Sequence, residues 1–263
     1  MGVIAAMALG ALVAGQAAGG GLTPTTAWTV GDNQGDCALF RTFGSGSGPV
    51  DLGLKPDVSG RGGEVTLAIG GAREERGRSG VGRIVVEPSG AAFATTWASF
   101  FVPDRALRGV RIAVGDGFWA ALDQGPTLAI DIGARGPVRL PVGAMAGARA
   151  ALDACRTGKL KEWGADPAAM APSPSPAQVA AWFPASAYPK RAWKNGIAGR
   201  TVMLLELDGG GVPVACRTVR SAGDRGLDDA TCALARERVR FAADARPTRW
   251  AVVPVRWSIA SNW

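Results

Sequence analysis

Over the first 160 or so residues of the chain, apolar side chains recur at alternate positions in short stretches bounded by glycine or proline. Val65, Leu67 and Ile69 alternate with small or polar neighbours, as do Val110, Ile112 and Val114. Leu128, Ile130 and Ile132 repeat the pattern, followed by Val138, Leu140 and Val142, and residues 83–86 supply another apolar run. A period of two gives a strand one apolar face, so each stretch predicts a β-strand. The period changes near residue 145, where Met145, Ala148, Leu152 and Cys155 fall on one helical face. A shorter helical turn is expected over 118–122. Together these signals predict an antiparallel, β-rich unit over 22–165, closed by one helix.

The pattern breaks at 166–178, DPAAMAPSPSPAQ. Alternating Ser-Pro can neither continue a helix nor sit inside a sheet, so this segment reads as a polyproline-like linker. At ~3.1 Å per residue it would span roughly 35–40 Å. A second unit follows over 179–263. Residues 188–196 begin with Pro189 in the first turn and end at Asn195-Gly196, as a short helix does. Strands are expected over 200–207 and 212–219, joined through Asp208 and three glycines as a β-hairpin. Leu227, Ala230, Leu234 and Arg238 then share a helical face, with Asp228 and Asp229 in the first turn and Arg236, Arg238 and Arg240 at the end. That charge order suits the helix dipole. A last strand covers 250–257. The fold class is therefore α+β: a β-rich N-terminal domain with a closing helix, then a small domain ordered helix, β-hairpin, helix, β-strand.

Residues 1–20 are uncharged, apolar and small, like the apolar core and small-residue exit of a secretory signal, with cleavage expected after Ala17 or Ala18. Retention as a weak anchor and burial as an N-terminal helix are the alternatives; the Gly and Ala content makes a poor membrane span. Export agrees with the cysteines. Cys37 and Cys155 precede the linker, and Cys216 and Cys232 follow it. Four cysteines allow three pairings, of which one bridge within each unit is the simplest; four buried thiols remain the alternative. No C-x-x-C knuckle is present, so no metal site is expected.

Composition narrows the chemistry. The 263 residues contain no histidine, which excludes a Ser–His–Asp triad, a Cys–His pair and imidazole acid–base work. The net charge is +7, but residues 22–177 are almost balanced; beyond Gln178 there are 13 basic against 7 acidic side chains. No basic run or basic–aromatic helix occurs, so nucleic acid is not an expected partner. Gly115, Gly117 and Ala120, with Asp131 downstream, imitate a dinucleotide fingerprint. Pro126 stops any helix there after about two turns, too short for the crossover such a site needs. No cofactor is expected. Gly44 to Gly48 is a loop without a nucleophile elbow. Asp228-Asp229 and Glu74-Glu75 are adjacent pairs and not opposed carboxylates, so the chain is not expected to be an enzyme.

The second unit resembles the TonB C-terminal domain. The matching residues are Tyr188-Pro189 with Ala192, Gly196 and Gly199, then the hairpin with its Asp-Gly turn. Ser221-Ala-Gly223, Leu227-Asp228 with Ala230, the 238–241 segment and the closing Val-x-Pro-Val-x-Trp strand complete it. The match covers roughly 180–260, and Cys216 and Cys232 fit family versions that join hairpin and helix by a disulfide. The resemblance implies a periplasmic module that contacts an outer-membrane receptor segment, or another protein or peptide, by strand addition. The edge strand would comprise Arg249, Trp250, Val252, Val253, Val255 and Arg256, with Arg249 and Arg256 favouring acidic peptides. Pro254 lacks an N–H and blunts its open side. The competing expectation is that Trp250, Val252 and Val255 are core. The short linker and weak anchor depart from force-transducing relatives, so an envelope scaffold or structural protein with no energy-transducing role is the second functional reading.

Overall fold

The computed structural model describes residues 22–33, 36–44, 48–56, 62–70, 77–102, 106–133 and 136–259. The expected export signal, residues 45–47 of the Gly-Ser stretch and the Glu74-Glu75 pair lie outside the described residues. Among the described residues no helix is long and apolar enough to cross a membrane.

The N-terminal unit is an antiparallel sheet of ten strands. They are β1 (Thr23–Pro24), β2 (Thr29–Asn33), β3 (Asp36–Gly44), β4 (Val50–Pro56), β5 (Gly63–Gly70), β6 (Ser79–Glu87), β7 (Ala91–Val102), β8 (Leu107–Val114), β9 (Thr127–Asp131) and β10 (Val138–Pro141). The order runs β1-β3-β4-β5-β8-β7-β6-β9-β10, with β2 paired to β3. β1 lies beside β10, so the sheet is nearly closed. Alternate residues of successive strands turn inward: Leu52 and Leu54, Val65 and Leu67, Ile112 and Val114, Ile84 and Val86, Leu128 and Ile130. The period of two thus becomes a single core. Where the ends meet, the Trp28 indole (3.1 Å) and the Arg41 guanidinium (2.7 Å) both donate to the Val142 carbonyl.

Two helices finish this unit. α1 (Phe118–Gln124) buries Phe118, Trp119 and Leu122 in the same core, and the Trp119 indole donates to the Gly62 carbonyl. α2 (Ala146–Glu162) adds Leu152 and is bonded to β3 through Cys37–Cys155. The fingerprint-like glycines sit before α1, but β9, the strand that follows, pairs antiparallel with both β6 and β10. No parallel crossover exists there to present a pyrophosphate.

The C-terminal unit holds α3 (Pro176–Trp182), α4 (Lys190–Lys194), β11 (Gly199–Asp208), β12 (Pro213–Arg220), α5 (Arg225–Arg238) and β13 (Thr248–Trp257). Its sheet runs β12-β11-β13, all antiparallel. α5 lays Leu227, Thr231 and Ala235 on one face, and Cys232 is bonded to Cys216 of β12. Asp228, in the first turn of α5, is buried and accepts from the Thr201 hydroxyl (2.7 Å), the Ala222 amide (2.9 Å) and the Ser221 hydroxyl. Three donors satisfy a carboxylate that would otherwise be costly to bury. Gly211 closes the hairpin turn at φ 80°, where a side chain would meet the Phe241 carbonyl.

Two expectations change. The segment expected to be a free linker is docked: Pro167–Ala169 forms a 3-10 turn, Met170 pairs with Trp250, and α3 begins at Pro176 behind a Ser175 capping box with Gln178. Ser-Pro spacing excluded a helix through the segment, yet Pro is favoured at the first position of one. The expected 188–196 helix is also shorter. It covers only Lys190–Lys194, behind a separate 3-10 turn at Ala185–Ala187, and the Tyr188 hydroxyl donates to the Ile197 carbonyl at 2.7 Å.

The two units touch. Leu160, Trp163, Ala165 and Met170 pack against Val202, Leu204, Val219, Trp250 and Val252 on the sheet face opposite α5. Beside this contact one carboxylate oxygen of Asp36 meets Arg220 (2.5 Å), Arg200 (3.7 Å) and Lys55 (3.8 Å). Burial, with like-charged neighbours adding to it, holds both Lys55 and Arg200 below their ordinary pKa. Asp36→Asn leaves three cations facing one another across the contact; it should weaken docking and speed proteolytic cutting between 163 and 175 relative to the parent. Opening the 216–232 loop should cost the C-terminal unit ~3 kcal/mol by the chain-entropy argument. Chemical denaturation of Cys232→Ser, followed by tryptophan fluorescence, should show a lower midpoint for that unit and an unchanged one for the N-terminal unit.

Candidate functional site

β13 ends the three-stranded sheet, so one of its sides carries backbone groups that no neighbouring strand pairs. Its side chains alternate between two covered faces. Ala251, Val253, Val255 and Trp257 join the core under α5, while Trp250 and Val252 join the contact with α2. The direction of the backbone groups follows from one bond: the Trp250 carbonyl accepts from the Ala171 amide at 2.7 Å, on the side away from β11. Ladder groups alternate along an antiparallel strand. Val252, Pro254 and Arg256 therefore also turn outward, and Ala251, Val253 and Val255 pair with β11. Pro254 falls where its missing N–H costs the sheet nothing.

The six edge residues expected from the sequence are thus divided. Val252 contributes an outward amide and carbonyl, although its side chain is buried. Val253 and Val255 are core side chains with inward backbones. Arg256 is exposed at the C-terminal end. Arg249 is not available to a partner: only 2% exposed, it donates to the Ala242 carbonyl at 2.6 Å and lies 3.7 Å from Asp244. The apolar run next to it draws its long side chain inward, and the loop after α5 supplies the acceptors. Trp250 is already engaged by the chain itself.

That engagement comes from residues unremarked in the sequence. Met170 forms an isolated parallel bridge with Trp250, and Ala171 is buried beside it. Upstream, the Arg246 guanidinium donates to the Ala168 carbonyl at 3.3 Å. Arg246 is itself clasped by Asp244 through two side-chain bonds of 3.0 Å and one from its main-chain amide. A single bridged residue leaves no period, so only the apolar Met170-Ala171 pair before Pro172 marks it. Near the far end of β13, Tyr188 packs on Trp257 and on the half-exposed Trp193. Ala185, Ser186, Lys190 and Lys194 complete a shallow recess of about 250 Å³ there. No cluster of three potential metal-ligating side chains occurs among the described residues.

Bonds from the Arg246 side chain and main chain hold the Asp244 carboxyl well below the usual carboxylate range. A carboxylate depressed on folding adds stability above its unfolded pKa, near 4, and loses it as the pH falls through the folded value. The stability difference between the parent chain and Asp244→Asn should therefore be constant from pH 6 to 5 and shrink steadily below about pH 4. Denaturant midpoints at a series of pH values check this; a difference that persists undiminished at pH 1–2 would exclude the clasp.

Comparison with known proteins bears on this unit alone. No curated protein and no solved structure matches the chain. A family model, described as Gram-negative bacterial TonB protein C-terminal, matches residues 184–259. This range contains α4, the hairpin, α5 and β13. Residues 184–259 are therefore similar to the C-terminal domain of TonB proteins, the family that the sequence of this unit resembles.

Proposed function

We propose that this protein acts in the periplasm as a non-enzymatic binding protein, whose TonB-type domain takes an extended peptide or protein segment by strand addition along the outer edge of β13. The observation that carries the reading is that both faces of the sheet are covered while the Val252–Arg256 edge is unpaired by any described strand. An extended partner gains backbone hydrogen bonds there without disturbing the core. The exposed Arg256, with Lys190 and Lys194 in the recess beyond, favours acidic partner segments. Similarity to the matched family supports a partner among outer-membrane receptors and a place in envelope transport energy coupling.

A second reading draws on a different observation. The N-terminal unit is packed against the sheet and joined to it by the Asp36 ion pairs, so the TonB-type domain could serve only to dock that unit in an envelope scaffold. The two readings diverge on the edge.

Photo-crosslinking from position 256 in intact cells tests the first. Pro254→Ala restores an outward donor worth about 0.5–1.5 kcal/mol, so capture of a discrete partner should rise up to about tenfold. Val252→Pro should abolish it. Val253→Pro should unfold the domain instead, because its amide pairs with β11. Capture indifferent to both Pro254→Ala and a folded Val252→Pro variant would favour the scaffold.

A further inference from the structure

The edge that receives a partner in the reading above is not empty at its start. We propose that residues 168–171 are a displaceable, built-in occupant of the β13 edge, and that a partner strand enters parallel to β13 by exchanging with them. This rests on strand addition at β13; the occupant and its direction come from the molecule itself.

The occupant is an imitation of a bound strand cut short. The Met170–Trp250 bridge is parallel, and the Ala171 amide supplies a ladder bond of 2.7 Å to Trp250. Met170 joins the α2 side of the sheet and Ala171 the α5 side, as alternate residues of an added strand do. The ladder then halts. Among the described residues no bridge beyond Met170–Trp250 joins the segment to β13, and α3 begins at Pro176, so the occupant does not extend along Val252 and Arg256. What remains is a short tie, fastened upstream by Arg246 at the Ala168 carbonyl and held near its place because α2 and α3 tether both ends. Tethering makes a weak contact persist through effective concentration. A partner able to pair with Trp250, Val252 and Arg256 makes more bonds than the occupant and displaces it.

The same geometry describes the partner. Parallel entry in the register of Met170 places its first contacts, an apolar residue and a small one, opposite Trp250. Six positions further on, its side chain stands in register with Arg256, where an acidic group is favoured. Such a partner has no proline one, three or five positions beyond its first apolar contact, where the amides face β13.

The nonapeptide AAMAVTVTE meets this description, with its methionine in the register of Met170 and its glutamate in that of Arg256. It is titrated by fluorescence anisotropy into the full chain and two variants. Ala171→Pro removes the donor to Trp250; Met170 has φ −69° and ψ 133°, a conformation that tolerates a following proline. Arg246→Ala cuts the upstream tie and leaves the Ala171 amide intact. We expect Ala171→Pro to bind the peptide at least about tenfold more tightly than the parent, Arg246→Ala severalfold more tightly, and a further Arg256→Glu change to reverse most of the gain. In the parent, hydrogen exchange at the Ala171 amide should be faster than at β11 amides, because the tie opens locally. Equal peptide affinity in parent and both variants overturns the occupant while leaving strand addition standing. An Ala171 amide that exchanges only with β11 does the same. Absence of binding to every protein, together with cellular capture unaffected by Pro254→Ala, removes the receptor reading and the occupant with it.

Discussion

Both faces of a three-stranded sheet are buried in this protein, and much else follows from that constraint. β11, the middle strand, sends Met203, Leu205 and Leu207 under α5 and Val202 and Leu204 towards the end of α2. A central strand covered twice cannot offer a binding face. The outer strands keep one free side each, and β12 is already tied to α5 by a disulfide. In the proposed reading, recognition is left to backbone groups on β13, which is why the proposed site contains so few available side chains. It also explains how an apolar strand can serve as a receptor without exposing a sticky surface. Trp250, Val252, Val253 and Val255 are needed for packing whether or not anything binds.

Three carboxylates organise the polar contacts around that sheet, and each acts at a different level. Asp228, in the first turn of α5, joins that helix to β11 and to the turn after β12 by hydrogen bonds alone. Asp36 on β3 gathers three cations, Lys55 from its own unit and Arg200 and Arg220 from the other, and so orients one unit against the other. Asp244 holds Arg246, which reaches the segment before α3. The first stabilises the domain, the second its docking and the third the state of its edge. All are aspartates whose short side chains fix a partner close to the main chain. Few rotamers are lost in doing so.

Arg249 shows how a surface motif can be absorbed. A basic residue beside an apolar strand suggests an electrostatic flank for a peptide. The chain that returns from α5 passes over it, and the Ala242 carbonyl and the Asp244 carboxylate receive its guanidinium. Arg256, at the other end of the same strand, stays exposed. The charge available to a partner is therefore concentrated at the far end, where the edge is also free.

Local periodicity determined a good deal. The alternation at 65–69, 110–114 and 128–132, the helical face through Met145 to Cys155, and the order from hairpin to α5 to β13 are all read from neighbouring residues. Each element's apolar repeat is set by its own backbone geometry. β3, β4 and β7 were less legible. Adjacent buried residues in β3, a glycine in β4 and a mixture of alanine, threonine and aromatics in β7 blur the period. Tertiary structure alone decided the remainder: that the Ser-Pro segment lies on β13, that Arg249 is enclosed, that Asp228 is buried while Asp229 is exposed, and that Asp36 meets arginines more than 160 residues away. The physical reason is common to these cases. A strand's period reports which side of it is buried, but carries no information about which distant segment covers that side. Those contacts are single bonds and ion pairs between remote residues, and they form only after the sheet has closed.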